Sequence, residues 1–383
     1  MKAFFLLICI LLSGTVFSDE FYSYDEMLGR AEYYMEWKNA SEIKDPAFRI
    51  SEPYRISEEI LQKADTKFEK KDFRFYRLRG KLYRRTGRIS LAEKDFETSL
   101  SMKPEDTETS LALFEICLED ERLAKAFDYA RIHLAENPEN RKVRYEALVL
   151  SAGLGETKYF KFASDRLSKG HSPEEEAEVL KKITKLQADR KYSDCAEESE
   201  KSLIHFPLSE NLYRTAVQCL KETDVSGKRT GRILLNAAVL FPEKRKHLLA
   251  YSEYLKKMKK YPHSLNVLRK VFSDSLKKDG EAYDREIVFL LRNVYTAMGR
   301  EKDAYALSLI AESSRTSRKL DSAALLQNYR IYENRETLLL LIHSLKSEAD
   351  SASSEKYSEM LRQRDEKMRH IEFTGIFPVF SSE

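Results

Sequence analysis

Residues 73–106 read FRFYRLRGKLYRRTGRISLAEKDFETSLSMKPED, and this stretch decides the fold. Aromatic, small and apolar side chains recur in it at the spacing of one face of an α-helix. The run is interrupted at Thr86-Gly87-Arg88, where a turn is expected, and Pro104 closes the second run. The stretch therefore predicts two antiparallel helices that are joined by a short turn and bury one side each.

The pattern continues without a gap, because Pro138 follows Pro104 by 34 positions. The first unit carries Tyr76, Gly80, Tyr83, Gly87, Ala92, Phe96, Ser99 and Pro104 at offsets 4, 8, 11, 15, 20, 24, 27 and 32. The second carries Leu113, Cys117, Ala126, Ala130, Leu134 and Pro138 on the same frame. This spacing resembles the tetratricopeptide repeat (TPR). It departs from that repeat at offset 7, where Arg79 replaces the usual Leu.

The match to the repeat pattern is weaker in the later units. Residues 286–315 again match it clearly, whereas residues 139–172 keep only the helical spacing. The resemblance implies an all-α fold, a right-handed superhelical array of about seven antiparallel helix hairpins whose first helices line a concave groove. The segments predicted are a signal peptide (1–18), an acidic aromatic segment (19–52), the TPR-like array (53–316), C-terminal helices with a capping hairpin (317–370) and an apolar tail (371–383). Within the acidic segment and the start of the array, we expect helices at Tyr24–Trp37 and from Ile56 to about Glu69.

The first residues have the pattern of an export signal. Lys2 precedes the apolar run Ala3 to Leu12, and small or medium residues at Val16-Phe17-Ser18 place the cleavage site after Ser18. A retained anchor and a lipoprotein at Cys9 are less favoured alternatives, because the run is short and Ile8 precedes that Cys. The pattern predicts an exported bacterial protein, either periplasmic or secreted.

The mature chain has an odd number of cysteines, so in an oxidising compartment at least one is a free thiol or forms an intermolecular bond. After loss of Cys9, the chain keeps Cys117, Cys195 and Cys219, and no two of them form a C-x-x-C pair. A redox or zinc site therefore has no support. The spacing favours small buried side chains and leaves open whether Cys195 and Cys219 form a disulfide.

No catalytic signature stands in the sequence, which lacks H-E-x-x-H, G-x-S-x-G and G-x-x-x-x-G-K-[ST] motifs. The seven His are scattered, so neither a metal nor another cofactor is predicted. The net charge of +3 gives no general attraction to nucleic acid. The chain is therefore predicted not to be an enzyme.

Charge on the repeat frame gives the strongest functional signal. The groove offsets 2, 5, 9, 12 and 13 of the first unit are all basic: Arg74, Arg77, Lys81, Arg84 and Arg85. Arginine suits a partner's carboxylate because its guanidinium binds in a bidentate way. A solvated basic face is the competing interpretation, and Glu108, Glu115 and Glu119 at matching offsets of the next unit would partly neutralise it.

A second basic region spans residues 244–270, with Lys246, Lys256 and Lys257 at groove offsets. The favoured role of this region is to keep the protein soluble. The alternative is contact with a surface or with lipid headgroups, without insertion into the membrane. The sequence thus predicts a non-catalytic scaffold of the cell envelope that binds a protein partner in the groove, through an acidic segment or a carboxylate. The alternatives are a self-associating part of a surface assembly and an accessory subunit of an envelope enzyme complex.

Overall fold

The computed structural model describes residues 22–36, 46–168, 172–278, 284–313 and 321–372. Across these ranges the chain forms nineteen α-helices and no strand, which confirms the all-α prediction. The chain divides into two compact units, Met1–Glu139 (unit 1) and Asn140–Glu383 (unit 2). The predicted signal peptide, the residues between 36 and 46, and the apolar tail beyond Glu372 lie outside the described residues.

Unit 1 contains three antiparallel hairpins. Their helices are α1 (Tyr24–Met35), α2 (Pro46–Lys67), α3 (Phe73–Arg85), α4 (Ile89–Met102), α5 (Thr107–Glu119) and α6 (Leu123–Glu136). The expected start of α2 at Ile56 is wrong, since the helix begins at Pro46 and continues through a buried Pro53. The helix packs along α1, where the buried Ser57 hydroxyl donates a hydrogen bond of 2.6 Å to the Ala31 carbonyl.

Small residues let α3 and α4 approach closely, as the spacing predicts. A Cβ atom on Gly80 would lie 2.8 Å from Cε1 of Phe96, so only glycine leaves room for that buried ring. Ala92 is fully buried in the same cluster, together with Leu113 of the following hairpin. Neighbouring hairpins therefore share one core, which is why a single hairpin would lack a core of its own.

Unit 2 begins with α7 (Arg141–Leu154), the helix of the segment that keeps helical spacing but loses the repeat signature. Ten of its residues are buried, and it packs against α10 and α12, which are separated from it by intervening helices. Its Tyr145 hydroxyl lies 2.9 Å from the Tyr213 hydroxyl and accepts a hydrogen bond of 2.9 Å from Asn236. A helix covered on several sides cannot keep the one-sided pattern of a repeat, and this explains the lost signature.

The remaining helices of unit 2 form further hairpins and a C-terminal pair. They are α8 (Thr157–Ser168), α9 (Pro173–Ala188), α10 (Tyr192–His205), α11 (Glu210–Thr223), α12 (Lys228–Leu240), α13 (Arg245–Lys257), α14 (Tyr261–Lys278), α15 (Arg285–Ala297), α16 (Glu301–Ser313), α17 (Ser322–Tyr332), α18 (Arg335–Ser347) and α19 (Ser351–Glu372). A disulfide between Cys195 and Cys219 joins α10 to α11, and Cys117 of unit 1 is a buried free thiol.

Candidate partner-binding face

The basic face of α3 lies between α1 and α5, the first helices of the adjoining hairpins in unit 1. Near the start of α3, Nη2 of Arg74 lies 2.7 Å from Oδ1 of Asp25 on α1. Hydrogen bonds to Asp72 and then to Asp25 raise the pKa of the Arg74 guanidinium. One turn on, Nη1 of Arg77 lies 3.0 Å from Oδ1 of Asp106 and 3.3 Å from Oε2 of Glu108.

The middle and the end of α3 repeat this arrangement. Lys81 forms an ion pair with Glu108 and lies 3.7 Å from Oε1 of Glu32. Arg84 lies 2.6 Å from Oε2 of Glu115, and its other Nη atom lies 3.2 Å from Oε1 of Glu119. These contacts place the basic side chains along one face, with a row of carboxylates on each side.

Arg85 differs from the other four basic residues of α3. It is exposed, and its guanidinium donates to the carbonyl oxygen of Met35 at the end of α1. This contact leaves most of its hydrogen-bonding capacity directed to solvent, because a guanidinium has five N–H donors. Arg85 therefore presents the most available cation of the face.

A cavity of about 490 Å³ opens on this face. Its floor is apolar and its rim is charged; the lining residues are Glu36, Lys81, Arg84, Arg85, Phe96, Glu108, Leu111, Ala112 and Glu115. Ligand sites commonly combine such an apolar base with a few polar groups that set orientation. The cavity can therefore hold an apolar side chain while charged groups of the same ligand meet the rim.

The sequence singled out the five basic residues and the three acids of α5, but it missed the acids of α1. Asp25 and Glu32 of α1, and Glu36 just after its end, reach the same face from outside the repeat frame. The signal that could have found them is the spacing of Asp25 and Glu32, seven residues apart on one side of a helix. Asp106, the residue just before α5, was also missed and is 6% exposed.

The other three predicted groove residues belong to unit 2. Lys246, near the start of α13, forms an ion pair with Glu210, the first residue of α11. This pair, and a hydrogen bond from His247, lower the pKa of Glu210 against the opposing effect of desolvation. Lys257 lies 3.5 Å from Glu253 on its own helix, and Lys256 is half-buried. The predicted residues thus divide into five in unit 1 and three in unit 2, and their part in binding stays a prediction.

The described residues contain no group of three or more His, Cys, Asp or Glu that could hold a metal ion. Among the same residues, no helix combines the length and apolar character needed to cross a membrane.

Comparison with known proteins found neither a matching family model nor a matching curated protein. Solved structures gave distant likenesses. A tetratricopeptide repeat protein from Parabacteroides merdae is 15% identical, with 81% of this chain and 99% of that chain covered and a TM-score of 0.31. The TPR2AB domain of yeast Sti1, in complex with pHSP90, is 12% identical, with 76% and 98% covered and a TM-score of 0.25.

A human IFIT1 dimer with m7Gppp-AAAA is 12% identical, with 89% of this chain and 95% of that chain covered and a TM-score of 0.28. Similarity this low carries no argument about function. The hairpins of this chain are TPR-like. That statement rests on their own geometry: close helix crossings at Gly80 and Ala92 and turns at the predicted positions, with Gly87 in the left-handed region at φ 77°.

Proposed function

We propose that this chain is a non-catalytic scaffold that binds an acidic segment of a partner protein on the face of α3 in unit 1. The observation that carries the proposal is the cavity with Lys81, Arg84 and Arg85 on its rim and Phe96, Leu111 and Ala112 beneath them. An acidic segment with an apolar side chain would place carboxylates on the rim and the apolar group on the floor.

The carboxylates already beside these cations do not block such binding. Glu119 and Glu108 are 66% and 49% exposed, so the acid of each pair is well solvated, while Arg84 and Lys81 are 27% and 18% exposed. An exposed ion pair contributes only about 0–1 kcal/mol. A partner's carboxylate on the rim can therefore compete with Glu119 for Arg84 or with Glu108 for Lys81.

The test is capture of partners from envelope extracts on immobilised residues 19–383. The double variant Lys81→Gln/Arg84→Gln removes two rim cations without placing a new acid beside Glu108 or Glu115. Each charge-assisted hydrogen bond lost should weaken capture by about tenfold. The matched control is Lys94→Gln/Arg131→Gln on the exposed sides of α4 and α6 in the same unit.

Capture that is equal in the two double variants would contradict the proposed face. Recovery of only further copies of this chain would favour the self-associating assembly. Circular dichroism and melting of both variants check that the fold is retained.

We further propose that the chain is exported and loses residues 1–18. The apolar run Ala3 to Leu12 supports this proposal, and so does the disulfide between Cys195 and Cys219, since disulfides persist mainly in oxidising compartments. Cell fractionation followed by N-terminal sequencing tests it. A cytosolic chain that retains Met1 would contradict it.

A further inference from the structure

Two turns lie side by side in unit 2: the one that joins α11 to α12 and the one that joins α13 to α14. Gly227 lies in the first turn. A Cβ atom on it would lie 3.6 Å from the ring of Tyr254, near the end of α13, and 3.8 Å from Sδ of Met258 in the second turn. Gly227 and Lys259 both have positive φ, which makes each turn tight. We call residues 225–229 and 256–260 together the turn surface.

The turn surface is strongly basic. Residues 253–261 contain four lysines against one acid, and residues 225–232 contain Lys228, Arg229 and Arg232 without an acid. Lys228, Lys257, Lys259 and Lys260 are exposed. These charges therefore face solvent from two neighbouring turns.

The acids around the turn surface cancel only part of this charge. Asp224 accepts hydrogen bonds from the Thr230 backbone N–H at 2.7 Å and from the Ser226 hydroxyl at 2.9 Å, which hold the first turn and leave its negative charge in place. Glu253 lies 3.5 Å from Lys257, and Glu200 pairs with Arg229. Glu222 is exposed just before the first turn. The six cations of the turn surface thus face these four acids, and a net positive charge of two remains.

Apolar side chains stand at the tips of both turns. Val225 is 103% exposed, and Met258 is 43% exposed although its sulfur lies beside Gly227 of the first turn. Apolar tips surrounded by lysine are the combination that suits the boundary between lipid headgroups and acyl chains. The lysine stems can lie along the headgroups while the ammonium groups meet lipid phosphates.

We propose that the turn surface docks unit 2 on an anionic lipid bilayer. The charge complementarity argues for this occupant, because a row of lysines with no inserted helix is attracted by anionic headgroups over a Debye length. Val225 and Met258 then enter the headgroup region, and the remaining surface of the protein stays in water. The docking is peripheral and reversible with salt.

The test is co-sedimentation of residues 19–383 with vesicles of pure phosphatidylcholine and of an equimolar mixture with phosphatidylglycerol. The protein should pellet with the anionic vesicles, remain soluble with the neutral ones, and be released by added salt. The triple variant Lys256→Gln/Lys257→Gln/Lys259→Gln should weaken binding to anionic vesicles on the order of a hundredfold. The double variant Val225→Ser/Met258→Ser should also weaken binding, with the salt dependence unchanged.

The matched control neutralises three other exposed lysines of unit 2, Lys181, Lys302 and Lys356. An equal loss in this control would overturn the proposal, because net charge rather than the turn surface would then govern binding. Failure to pellet with anionic vesicles would also overturn it. Binding to soluble polyglutamate without binding to vesicles would overturn it as well. That result would indicate that the turn surface binds an acidic polypeptide. The Lys81→Gln/Arg84→Gln variant should bind vesicles normally, which separates this result from the face in unit 1.

Discussion

The Arg79 guanidinium forms a bidentate pair with the Asp95 carboxylate, with Nε 2.7 Å from Oδ2 and Nη2 2.9 Å from Oδ1. Arg79 occupies the position where the TPR pattern has Leu, and Asp95 is 5% exposed on α4. The guanidinium also lies over the Phe75 ring, 4.9 Å from its centroid. An ion pair with aromatic support thus replaces an apolar contact between the helices of this hairpin.

Arg79→Leu should destabilise unit 1, although it restores the residue usual for the repeat. The change leaves the buried Asp95 carboxylate without its main partner, which costs about 1–3 kcal/mol. The double variant Arg79→Leu/Asp95→Leu should recover much of that loss, because replacing both partners removes the unpaired charge. Urea unfolding of the two variants and the parent measures both effects. Equal stability of the parent and the single variant would mean that the pair contributes nothing.

Gly80→Ala should lower the melting temperature. The added methyl group would lie 2.8 Å from the Phe96 ring, which is 1% exposed in the core between α3 and α4. Overpacking of this kind costs about 1–3 kcal/mol. Gly29→Ala on α1 is the matched control, since nothing lies within 4 Å of the new Cβ atom. That control should stabilise its helix by roughly 0.5–1 kcal/mol. A loss of stability in both variants would mean that the Phe96 contact is not the cause of the loss.

The disulfide between Cys195 and Cys219 should stabilise unit 2 by about 3 kcal/mol, because it constrains a loop of moderate length in the unfolded chain. The two residues are 24 positions apart, and their Cα atoms are 5.9 Å apart. Urea unfolding with and without a reducing agent measures the effect. The Cys195→Ala/Cys219→Ala variant is the control and should not respond to the reducing agent.

A thiol titration gives an independent check of the same bond. The exported chain without residues 1–18 contains Cys117 as its only other cysteine. The denatured, unreduced protein should therefore expose a single reactive thiol. Reactivity at all three cysteines of the purified exported chain would contradict the pairing.

Glu336 should make the stability of unit 2 fall at low pH. Burial alone would raise the pKa of this fully buried carboxyl, but the charges of Arg269 and Arg335 and a hydrogen bond from Tyr295 lower it to about 2. The folded pKa is thus below the unfolded one. The stabilisation is therefore complete above the unfolded pKa near 4.5 and is lost as the pH falls towards about 2.

Unfolding by urea at several pH values tests this dependence. Protonation of Glu336 should lower the free energy of unfolding by on the order of 3 kcal/mol in total, given the difference between its folded and unfolded pKa. Glu336→Gln should reduce the dependence by the share that this carboxyl contributes and lower the stability at neutral pH, since Arg269, with Nε 2.8 Å from Oε1 of Glu336, loses its buried charged partner. Glu355→Gln, at an exposed position of α19, should leave the pH profile unchanged. A parent profile that is flat below pH 5 would disprove the assignment.

Prediction from sequence succeeded where the signal was local. The α3–α4 hairpin, its turn at Thr86-Gly87-Arg88 and the buried Ala92 follow from spacing within one repeat. It failed at the start of α2, which is helical from Pro46, because the packing of α2 against α1 is not visible in local sequence. The acids of α1 beside α3 were missed for the same reason: their partners are set by helix packing and not by the repeat frame.

The sequence by itself determined the helices, the small residues at their crossings and the set of side chains on the basic face of α3. These features depend on spacing within one or two turns of helix, where the backbone geometry is the same in any context. Only the tertiary structure decided that Cys195 pairs with Cys219, that α7 packs against α10 and α12, and that Glu336 meets Arg269 across 67 positions. The physical reason is that such contacts depend on how whole helices stack, and the favourable packing of many side chains together selects one arrangement among several with the same local pattern.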